Sequence, residues 1–159
     1  MKPGLIVFDL DYTLWPFWVD THVDPPFTMK SDGKVYDRRN AHVKYYRDVP
    51  EILQKLKDDG FTLAVASRTS CEREAMDLLK LFDWLKFFSH IEIYTGSKVS
   101  HFQKFQAATG LPFTSMLFFD DEHRNIFDCS KIGVTCILCN NGLNWRMVEV
   151  GFETFAQKS

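Results

Sequence analysis

With 159 residues, of which 45% are hydrophobic and 15% aromatic, the chain has the length of one domain and the composition of a folded globular protein, which excludes general disorder. A formal net charge of -2 provides no broad basic field, so charge favours neither nucleic acid nor an anionic membrane as a partner. Four cysteines are too few for a disulfide scaffold and are interpreted as buried or free thiols. We therefore predict one domain over 1–159.

Short apolar runs recur along the chain without strict alternation, as in parallel strands that are covered on both faces. These runs are Leu5–Phe8, Thr62–Ala66, Ile91–Tyr94, Met116–Phe119 and Val134–Leu138. Amphipathic segments between them predict helices near 48–60, 69–82, 99–109, 124–131 and 145–155. This alternation predicts an α/β fold with a doubly wound, Rossmann-like and mainly parallel sheet, whose site lies at the carboxyl ends of the strands.

Several of these helices have recognisable terminal signals. Asp48 with Glu51, and Thr69 with Glu72, have the spacing of a capping box, in which the first side chain binds a free backbone N–H group of the helix. Gly110 follows another helix as a C-terminal stop. We therefore expect the side chains of Asp48 and Thr69 to cap helices.

Segment 14–46 interrupts the alternation of strands and helices. It contains Trp15-Pro16, Asp24-Pro25-Pro26 and the turn signal Ser31-Asp32-Gly33-Lys34. We interpret it as a short flap over the site, with room for a hairpin but not for a large cap domain. Its basic residues are either solvated or recruit an anionic substrate; they are Lys30, Lys34, Arg38, Arg39 and Lys44.

The first strand leads into Asp9-Leu10-Asp11-Tyr12-Thr13, where the chain must turn out of the sheet. Both carboxylates can then face one pocket. Two anions this close repel each other and are costly to desolvate, so such a site usually supplies a cation or a shared proton. Magnesium is the obvious candidate for an all-oxygen site that also holds a phosphate. Taken alone, the motif also fits ordinary turn residues.

Three other predicted strands are followed by groups that suit a phosphate or a metal. Ser67-Arg68 offers a hydroxyl, backbone N–H groups and a guanidinium just before a helix, whose dipole favours an anion. Lys98 can neutralise both a phosphate and Asp9. Asp120-Asp121-Glu122 can complete a metal shell. Each feature alone also fits a cap, a turn or a solvated charge, and it is their occurrence together and in this order that favours a common site.

The histidines show no metal-like spacing, and we place them at the surface or in the flap. They are His22, His42, His90, His101 and His123.

The ordered motifs resemble the haloacid dehalogenase (HAD) superfamily over most of the chain: D-x-D-x-T at the first strand, Ser at the second, Lys before a helix and an acidic pair at the fourth. The fuller segments Phe8–Pro16, Ala66–Ser70, Gly96–Lys98 and Phe118–Glu122 look like the magnesium-dependent phosphatase 1 family within it. The resemblance implies a capless HAD-like fold with Mg²⁺ as cofactor.

The same resemblance assigns roles to site residues. Asp9 would be the nucleophile that forms an aspartyl phosphate, and Asp11 the general acid and base. The metal would be held by Asp9, by the backbone carbonyl of Asp11 and by Asp121, with Asp120 as the alternative ligand. Contacts with phosphate or substrate are expected from Leu10, Asp11, Thr13, Trp18, Ser67, Arg68 and Lys98.

The expected function is magnesium-dependent hydrolysis of phosphate monoesters. An alkoxide leaving group needs the acid at Asp11 whereas a halide needs none, so dehalogenation is disfavoured. An open site without a cap admits a bulky group, either phosphotyrosine in a protein or a sugar phosphate, including fructosamine-6-phosphate on a glycated protein. Trp18 is placed to stack on the organic part of the substrate, whereas Trp15 and Phe17 more simply pack beneath the flap. The alternatives are a receiver-like signalling domain that only accepts a phosphoryl group, and a phosphotransferase.

The expected partner is thus a phosphorylated small molecule or protein side chain, with neither nucleic acid nor a membrane, and a monomer is compatible with the sequence. The chain begins almost directly with an apolar strand, without the features of a secretory signal, and it lacks an apolar stretch of about 18 residues. We therefore expect a cytoplasmic location.

Overall fold

The computed structural model describes residues 1–158. In chain order, its strands and α-helices are β1 (Leu5–Phe8), β2 (Thr28–Met29), β3 (Val35–Tyr36), β4 (His42–Val43), α1 (Val49–Asp58), β5 (Leu63–Ser67), α2 (Glu72–Leu81), β6 (Phe88–Ile93), α3 (Lys98–Thr109), β7 (Met116–Asp120), α4 (His123–Lys131), β8 (Thr135–Leu138) and α5 (Trp145–Lys158). No helix in this part of the chain is both long and apolar enough to cross a membrane.

The main sheet has the strand order β6-β5-β1-β7-β8, and all neighbouring strands are parallel. The chain adds β5 and β6 on one side of β1 and then returns to add β7 and β8 on the other. Ligands of such folds bind where the strand order reverses, outside the carboxyl ends of the strands. Phe8 pairs with Val65 on one side and with Phe119 on the other, so the residues that follow these strands meet at this point. The predicted doubly wound α/β fold is confirmed.

Helices cover both faces of this sheet, which explains the continuous apolar runs. Alternate side chains of β1 point to opposite faces. Ile6 and Phe8 belong to a large apolar cluster that includes residues of α1, α2 and α5. Leu5 and Val7 belong to a second cluster with Phe105 and other residues of α3 and α4. With both faces buried, β1 forms a rigid base for the residues that follow it.

Segment 14–46 contains a three-stranded antiparallel sheet, β2-β3-β4, which is more than the single hairpin that its turn signal indicated. Val35 and Val43 are buried in the large apolar cluster. Together with Met29 and Tyr45 they line a groove against Phe82, just after α2. The small sheet therefore packs beside α2, and the interpretation of segment 14–46 as a flap over the site holds only for its first residues.

Both predicted capping boxes are also wrong, although both helices form. The Asp48 side chain does not cap α1, because it accepts a bond from the backbone N–H of Trp145 at 3.2 Å. Thr69 does not cap α2 either, since the N-cap residue is Cys71 and the Thr69 hydroxyl accepts a bond from the Cys71 N–H group. The C-terminal signal at Gly110 is confirmed, with a left-handed φ of 72°.

Candidate active site

The carboxyl ends of the strands surround an open cleft of ≈ 350 Å³. Its lining residues are Asp9, Asp11, Trp18, Asp20, Thr21, Ser67, Arg68, Thr69, Thr95, Lys98, Glu122 and Asn125. Of the flap, only Trp18, Asp20 and Thr21 contribute to the walls. The basic residues of the flap do not line the cleft, and Arg39 is paired with Asp24 instead.

Asp9 lies at the base of this cleft and is 7% exposed. Its Oδ1 atom accepts a bond from Lys98 Nζ at 3.0 Å, and its Oδ2 atom accepts one from the Thr13 hydroxyl at 3.1 Å. The backbone N–H of Asp9 donates to Phe119 O at 3.0 Å, which continues the parallel pairing of β1 beyond the strand. The carboxylate is thus held in one orientation from both sides.

Leu10 and Thr13, two of the predicted substrate contacts, are completely buried and do not line the cleft. The Leu10 carbonyl accepts bonds from the N–H groups of Thr13 and Leu14, which closes the tight turn after β1. The side chain of Leu10 belongs to the apolar core. Leu10 therefore shapes the turn, while Thr13 acts on Asp9.

Asp11 is partly buried, and its carboxylate is held by the first residues of the flap. Its Oδ1 atom accepts bonds from Trp15 Nε1 at 2.8 Å and from Val19 N at 3.2 Å. Burial, assisted by the negative charge of Asp9, raises the pKa of Asp11 to about 7 although these hydrogen bonds oppose the shift. A carboxyl with this pKa is able to give and take a proton near neutral pH, as general acid and base catalysis requires.

Lys98 is the first residue of α3 and is only 1% exposed, so it is not the solvated lysine that the sequence left open. Its ammonium donates to Asp9 Oδ1 at 3.0 Å, Asp120 Oδ2 at 3.0 Å and Ala66 O at 2.6 Å. Burial disfavours the charged form, but the two carboxylates outweigh it and raise the pKa of Lys98 above its usual range. An ammonium has three N–H donors, so these partners engage all of them. In this arrangement Lys98 orients and neutralises Asp9.

Asp120 and Asp121 differ sharply in their surroundings. Asp120 is completely buried, and it accepts bonds from Glu122 N, Lys98 Nζ and Asn125 Nδ2. Asp121 is partly exposed, and a carboxylate oxygen of each of Asp9, Asp120 and Asp121 lies within 4.8 Å of the others. Three hard oxygen donors at this spacing suit Mg²⁺.

The electrostatics of this cluster also fit a cation. Burial raises the pKa of Asp121 to about 9, with further contributions from its hydrogen bond to Asp9 and from the charges of Asp9 and Asp120. At neutral pH the metal-free cluster therefore keeps a proton on Asp121. Asp9 and Asp121 would hold a divalent ion once this proton leaves, whereas the oxygens of Asp120 already accept bonds from protein donors.

Ser67, Arg68 and Trp18 line the cleft as predicted. Ser67 is 1% exposed, and its hydroxyl accepts a bond from Thr69 N at 3.2 Å. Arg68 is tethered at the rim, because its Nε donates to Gly96 O at 2.7 Å. The Trp18 ring is 48% exposed and stacks on His22 with a centroid distance of 5.1 Å. Stacking of Trp18 on a substrate stays a prediction.

Sequence reasoning missed three residues that support the site. Trp15 is buried as expected, but its indole also orients Asp11. Asn125 lies in the first turn of α4 and binds Asp120. The placement of the histidines at the surface or in the flap is wrong for His101, which is completely buried. The sequence does contain one signal for this burial, because His101 lies three residues after Lys98 and therefore on the same face of the helix.

Comparisons with known proteins agree with this geometry. A family model described as Acid Phosphatase matches residues 1–158. The chain is 58% identical over 155 residues to magnesium-dependent phosphatase 1 of Homo sapiens, a match that covers 98% of this chain and 88% of that protein. It is 39% identical over 155 residues to a HAD-like hydrolase superfamily protein of Schizosaccharomyces pombe, with coverage of 89% and 90%.

Solved structures share the fold at lower identity. The N-terminal part of the Bacteroides fragilis protein BF1531, whose crystal structure contains a phosphatase domain complexed with Mg, matches with a TM-score of 0.61 and 17% identity. This match covers 85% of our chain and 35% of that chain, and it bears on the fold alone. The family match and the identity to the human relative determine the assignment. The chain belongs to the acid phosphatase family, in the magnesium-dependent phosphatase 1 branch of the HAD superfamily.

Proposed function

We propose that the protein is a magnesium-dependent phosphatase that hydrolyses phosphate monoesters through an aspartyl phosphate on Asp9. The observation that carries this proposal is the acidic cluster of Asp9, Asp120 and Asp121, whose carboxylate oxygens lie within 4.8 Å of one another, with the buried ammonium of Lys98 bound to Asp9 and Asp120. Carboxyl groups this close repel one another when ionised, so they either share a proton, as in the metal-free cluster, or are joined by a divalent cation. The oxygens of Asp9 and Asp121, with the backbone carbonyl of Asp11, are the ligands that we propose for that ion.

In the first half of the reaction, a carboxylate oxygen of Asp9 attacks phosphorus while the bond from phosphorus to the leaving oxygen breaks. Asp11 gives its proton to that oxygen, so the product leaves as an alcohol. The Ser67 hydroxyl and the Arg68 guanidinium bind the phosphoryl oxygens at the cleft wall. Lys98 and Thr13 keep the attacking carboxylate in place. When bound, magnesium supplies positive charge that stabilises the phosphoryl oxygens in the transition state.

In the second half, Asp11 accepts a proton from a water molecule whose oxygen attacks the phosphorus of the intermediate. The bond from phosphorus to Asp9 breaks, which releases inorganic phosphate and restores both carboxyl groups to their starting forms. The Trp15 indole holds Asp11 in place for both proton transfers. A receiver-like domain, the alternative from the sequence, has no need of an acid and base with a pKa of about 7.

This function is tested by phosphate release from p-nitrophenyl phosphate, with magnesium and then with a chelator. We expect many turnovers per protein molecule with magnesium and none with the chelator. Phosphorylation of the protein in a single turnover, without phosphate release, would instead favour the receiver-like alternative.

The metal ligands are distinguished by comparing Asp121→Asn with Asp120→Asn. Loss of the Asp121 carboxylate should raise the magnesium concentration for half-maximal activity by at least about 10-fold. Replacing a residue that only supports a metal ligand already weakens metal binding by about 10-fold, and loss of a direct ligand should weaken it at least as much. Wild-type magnesium affinity should rise as the pH approaches 9, because the proton on Asp121 must leave before the metal binds. Asp120→Asn should mainly destabilise the fold, by about 3–5 kcal/mol, because it breaks a buried ion pair.

The metal-free stability of Asp121→Asn provides a second readout. The folded chain holds a proton on Asp121 up to a pH of about 9, whereas the unfolded chain releases it near 3.8. This difference costs stability at neutral pH, so removal of the carboxyl should stabilise the metal-free protein towards urea. Unchanged magnesium dependence in Asp121→Asn, with a large change in a folded Asp120→Asn protein, would reverse the assignment.

For the substrate, we infer a phosphate carried by a bulky group, either phosphotyrosine in a protein or a sugar phosphate, including fructosamine-6-phosphate on a glycated protein. The open cleft and the exposed ring of Trp18 at its wall support this inference. A panel of phosphotyrosine peptides and free and protein-linked sugar phosphates, compared by kcat/KM, identifies the preferred class.

Trp18→Ala should lower kcat/KM for a phosphotyrosine peptide by about 3–10-fold, the range expected for loss of one aromatic contact. Inhibition by inorganic phosphate, which has no organic part, should stay unchanged. Trp145→Ala is the matched control, because that indole is 40% exposed but does not line the cleft. Equal losses in the two variants, or a loss confined to phosphate binding, would exclude stacking by Trp18.

A further inference from the structure

His101 lies on α3 and is completely buried, yet no step of the proposed reaction uses it. Its Nε2 atom lies 2.8 Å from Ser67 O and 3.0 Å from Tyr94 O, and its Nδ1 atom lies 3.2 Å from Ser97 O. The imidazole also stacks on the Tyr94 ring, with a centroid distance of 4.2 Å and an interplanar angle of 16°. One side chain therefore joins α3 to the ends of β5 and β6.

The partner atoms determine the direction of these bonds. All three partner atoms are carbonyl oxygens, which only accept, whereas a neutral imidazole has a single N–H. Placed at Nε2, this N–H donates to Ser67 O and Tyr94 O, the two shorter contacts, and leaves Nδ1 without a proton beside Ser97 O. The Ser67 carbonyl accepts a second bond from Tyr94 N at 3.0 Å. Loss of the imidazole would leave this carbonyl with one donor instead of two, so the contact with His101 contributes to the position of the end of β5.

Lys98 and His101 act as a pair, because residues three apart lie on the same face of a helix. Lys98 Nζ donates to Ala66 O at 2.6 Å, and His101 Nε2 donates to Ser67 O, which is the next carbonyl along β5. Two adjacent carbonyl groups at the end of β5 are thus hydrogen-bonded to side chains on one face of α3. The first of these bonds comes from the lysine that orients Asp9, and the second holds Ser67, which lines the cleft.

We propose that His101 is a positioning residue for phosphoryl transfer. By holding the Ser67 carbonyl against α3, it sets the distance between the Ser67 hydroxyl and the carboxylate that Lys98 orients. This role rests on the proposed function, in which Ser67 binds a phosphoryl oxygen while Asp9 attacks phosphorus. Misplacement of a binding group by about 1 Å is enough to slow a reaction by about 100-fold.

The test compares three substitutions at this position in the complete chain with magnesium. His101→Phe keeps a ring that stacks on Tyr94 but has no donor. His101→Gln places an amide N–H near the position of Nε2, whereas the shorter His101→Asn places its amide nearer Nδ1. Tyr94→Phe is the control, since it removes only the hydroxyl that donates to Glu92 and keeps the stacked ring.

We expect His101→Phe to lower kcat/KM for p-nitrophenyl phosphate by about 10–100-fold and to weaken inhibition by inorganic phosphate. His101→Gln should recover most of both, and His101→Asn should not. Urea unfolding, measured in parallel, identifies any variant that is not folded during the assay. If His101→Phe does not fold, the contrast between Gln and Asn still decides.

Three results would each overturn the proposal. The first is wild-type kcat/KM and phosphate inhibition in folded His101→Phe. The second is equal values in the Gln and Asn variants, and the third is a loss of activity that matches only the unfolded fraction in all three variants. Failure of the proposed function is recognised separately, because the wild-type protein would then release no phosphate in the same assay.

Discussion

Replacement of Asp11 by Asn should slow the hydrolysis of an alkyl phosphate by about 10²–10⁴-fold, the usual contribution of a general acid. Asn preserves the shape of the side chain and still accepts bonds from Trp15 Nε1 and Val19 N. What it cannot do is give a proton to an alkoxide leaving group. The cleft and the metal ligands should remain otherwise intact, so the loss should appear in kcat rather than in magnesium affinity.

The leaving group provides the internal control for this variant. A nitrophenolate leaves without help from an acid, so the first step with p-nitrophenyl phosphate should be much less impaired than with an alkyl phosphate. Water attack should still be slow because no base remains, and a burst of nitrophenol followed by a slow steady state is expected. Rapid-quench measurements detect this burst. Asp20→Asn, in the same cleft but without a proposed role, should retain near wild-type rates.

An equal loss for both leaving groups, without a burst, would remove Asp11 from the acid and base role. Full turnover of an alkyl phosphate by Asp11→Asn would do the same. The pH dependence offers an independent check. Because Asp11 must be protonated in the first step, turnover limited by that step should fall as the pH rises above about 7 in the wild type, and Asp11→Asn should lose this dependence.

Replacement of Asp9 by Asn should have a still larger effect, on the order of 10⁴–10⁶-fold in kcat, as expected when a covalent nucleophile is removed. The loss should be the same for alkyl and aryl phosphates, because no leaving group compensates for a missing nucleophile. The variant also loses a buried ion pair with Lys98, so its stability should fall as in Asp120→Asn, although the ammonium keeps its bonds to Asp120 and Ala66. Urea unfolding shows whether the loss of kcat occurs in folded protein. An equal loss of kcat for both substrate classes, in a folded variant, distinguishes Asp9 from residues whose replacement lowers activity only by unfolding the protein.

The measurement for Asp9→Asn is steady-state phosphate release with both substrate classes, together with urea unfolding. Asp20→Asn again serves as the matched change from Asp to Asn within the cleft. A residual rate within about 10-fold of the wild type would exclude Asp9 as the nucleophile, since mere electrostatic assistance costs far less than a missing nucleophile.

Much of this architecture follows from the sequence because its local signals agree with its long-range packing. The runs Leu5–Phe8 and Met116–Phe119 are apolar at every position because helices cover both faces of the sheet. The position of Asp9, Ser67 and Asp120 at one edge then follows from parallel pairing alone. The acidic cluster, the cleft wall at Ser67-Arg68 and the fold were therefore predictable before any side chain was placed.

Two physical causes explain several of the failures: competition from contacts distant in sequence, and strands too short to show a pattern. Asp48 has a cap signature, but the start of α5 supplies a better donor in Trp145 N. The strands of the flap contain two residues each, too few for a periodic pattern to appear. The burial of Lys98 and His101 depends on the carbonyls at the end of β5, which no local pattern indicates. Local propensity predicts elements but not the side chains that join them.

The central claim, that Asp9 carries the phosphoryl group, is tested most directly by trapping the intermediate. Asp11→Asn is mixed with p-nitrophenyl phosphate and magnesium, quenched in acid during the burst, digested and mapped by mass spectrometry. The phosphoryl group should be found on Asp9 in an amount that matches the nitrophenol burst. A burst whose phosphoryl group maps to another residue, or an active protein with no trapped adduct, would contradict the account.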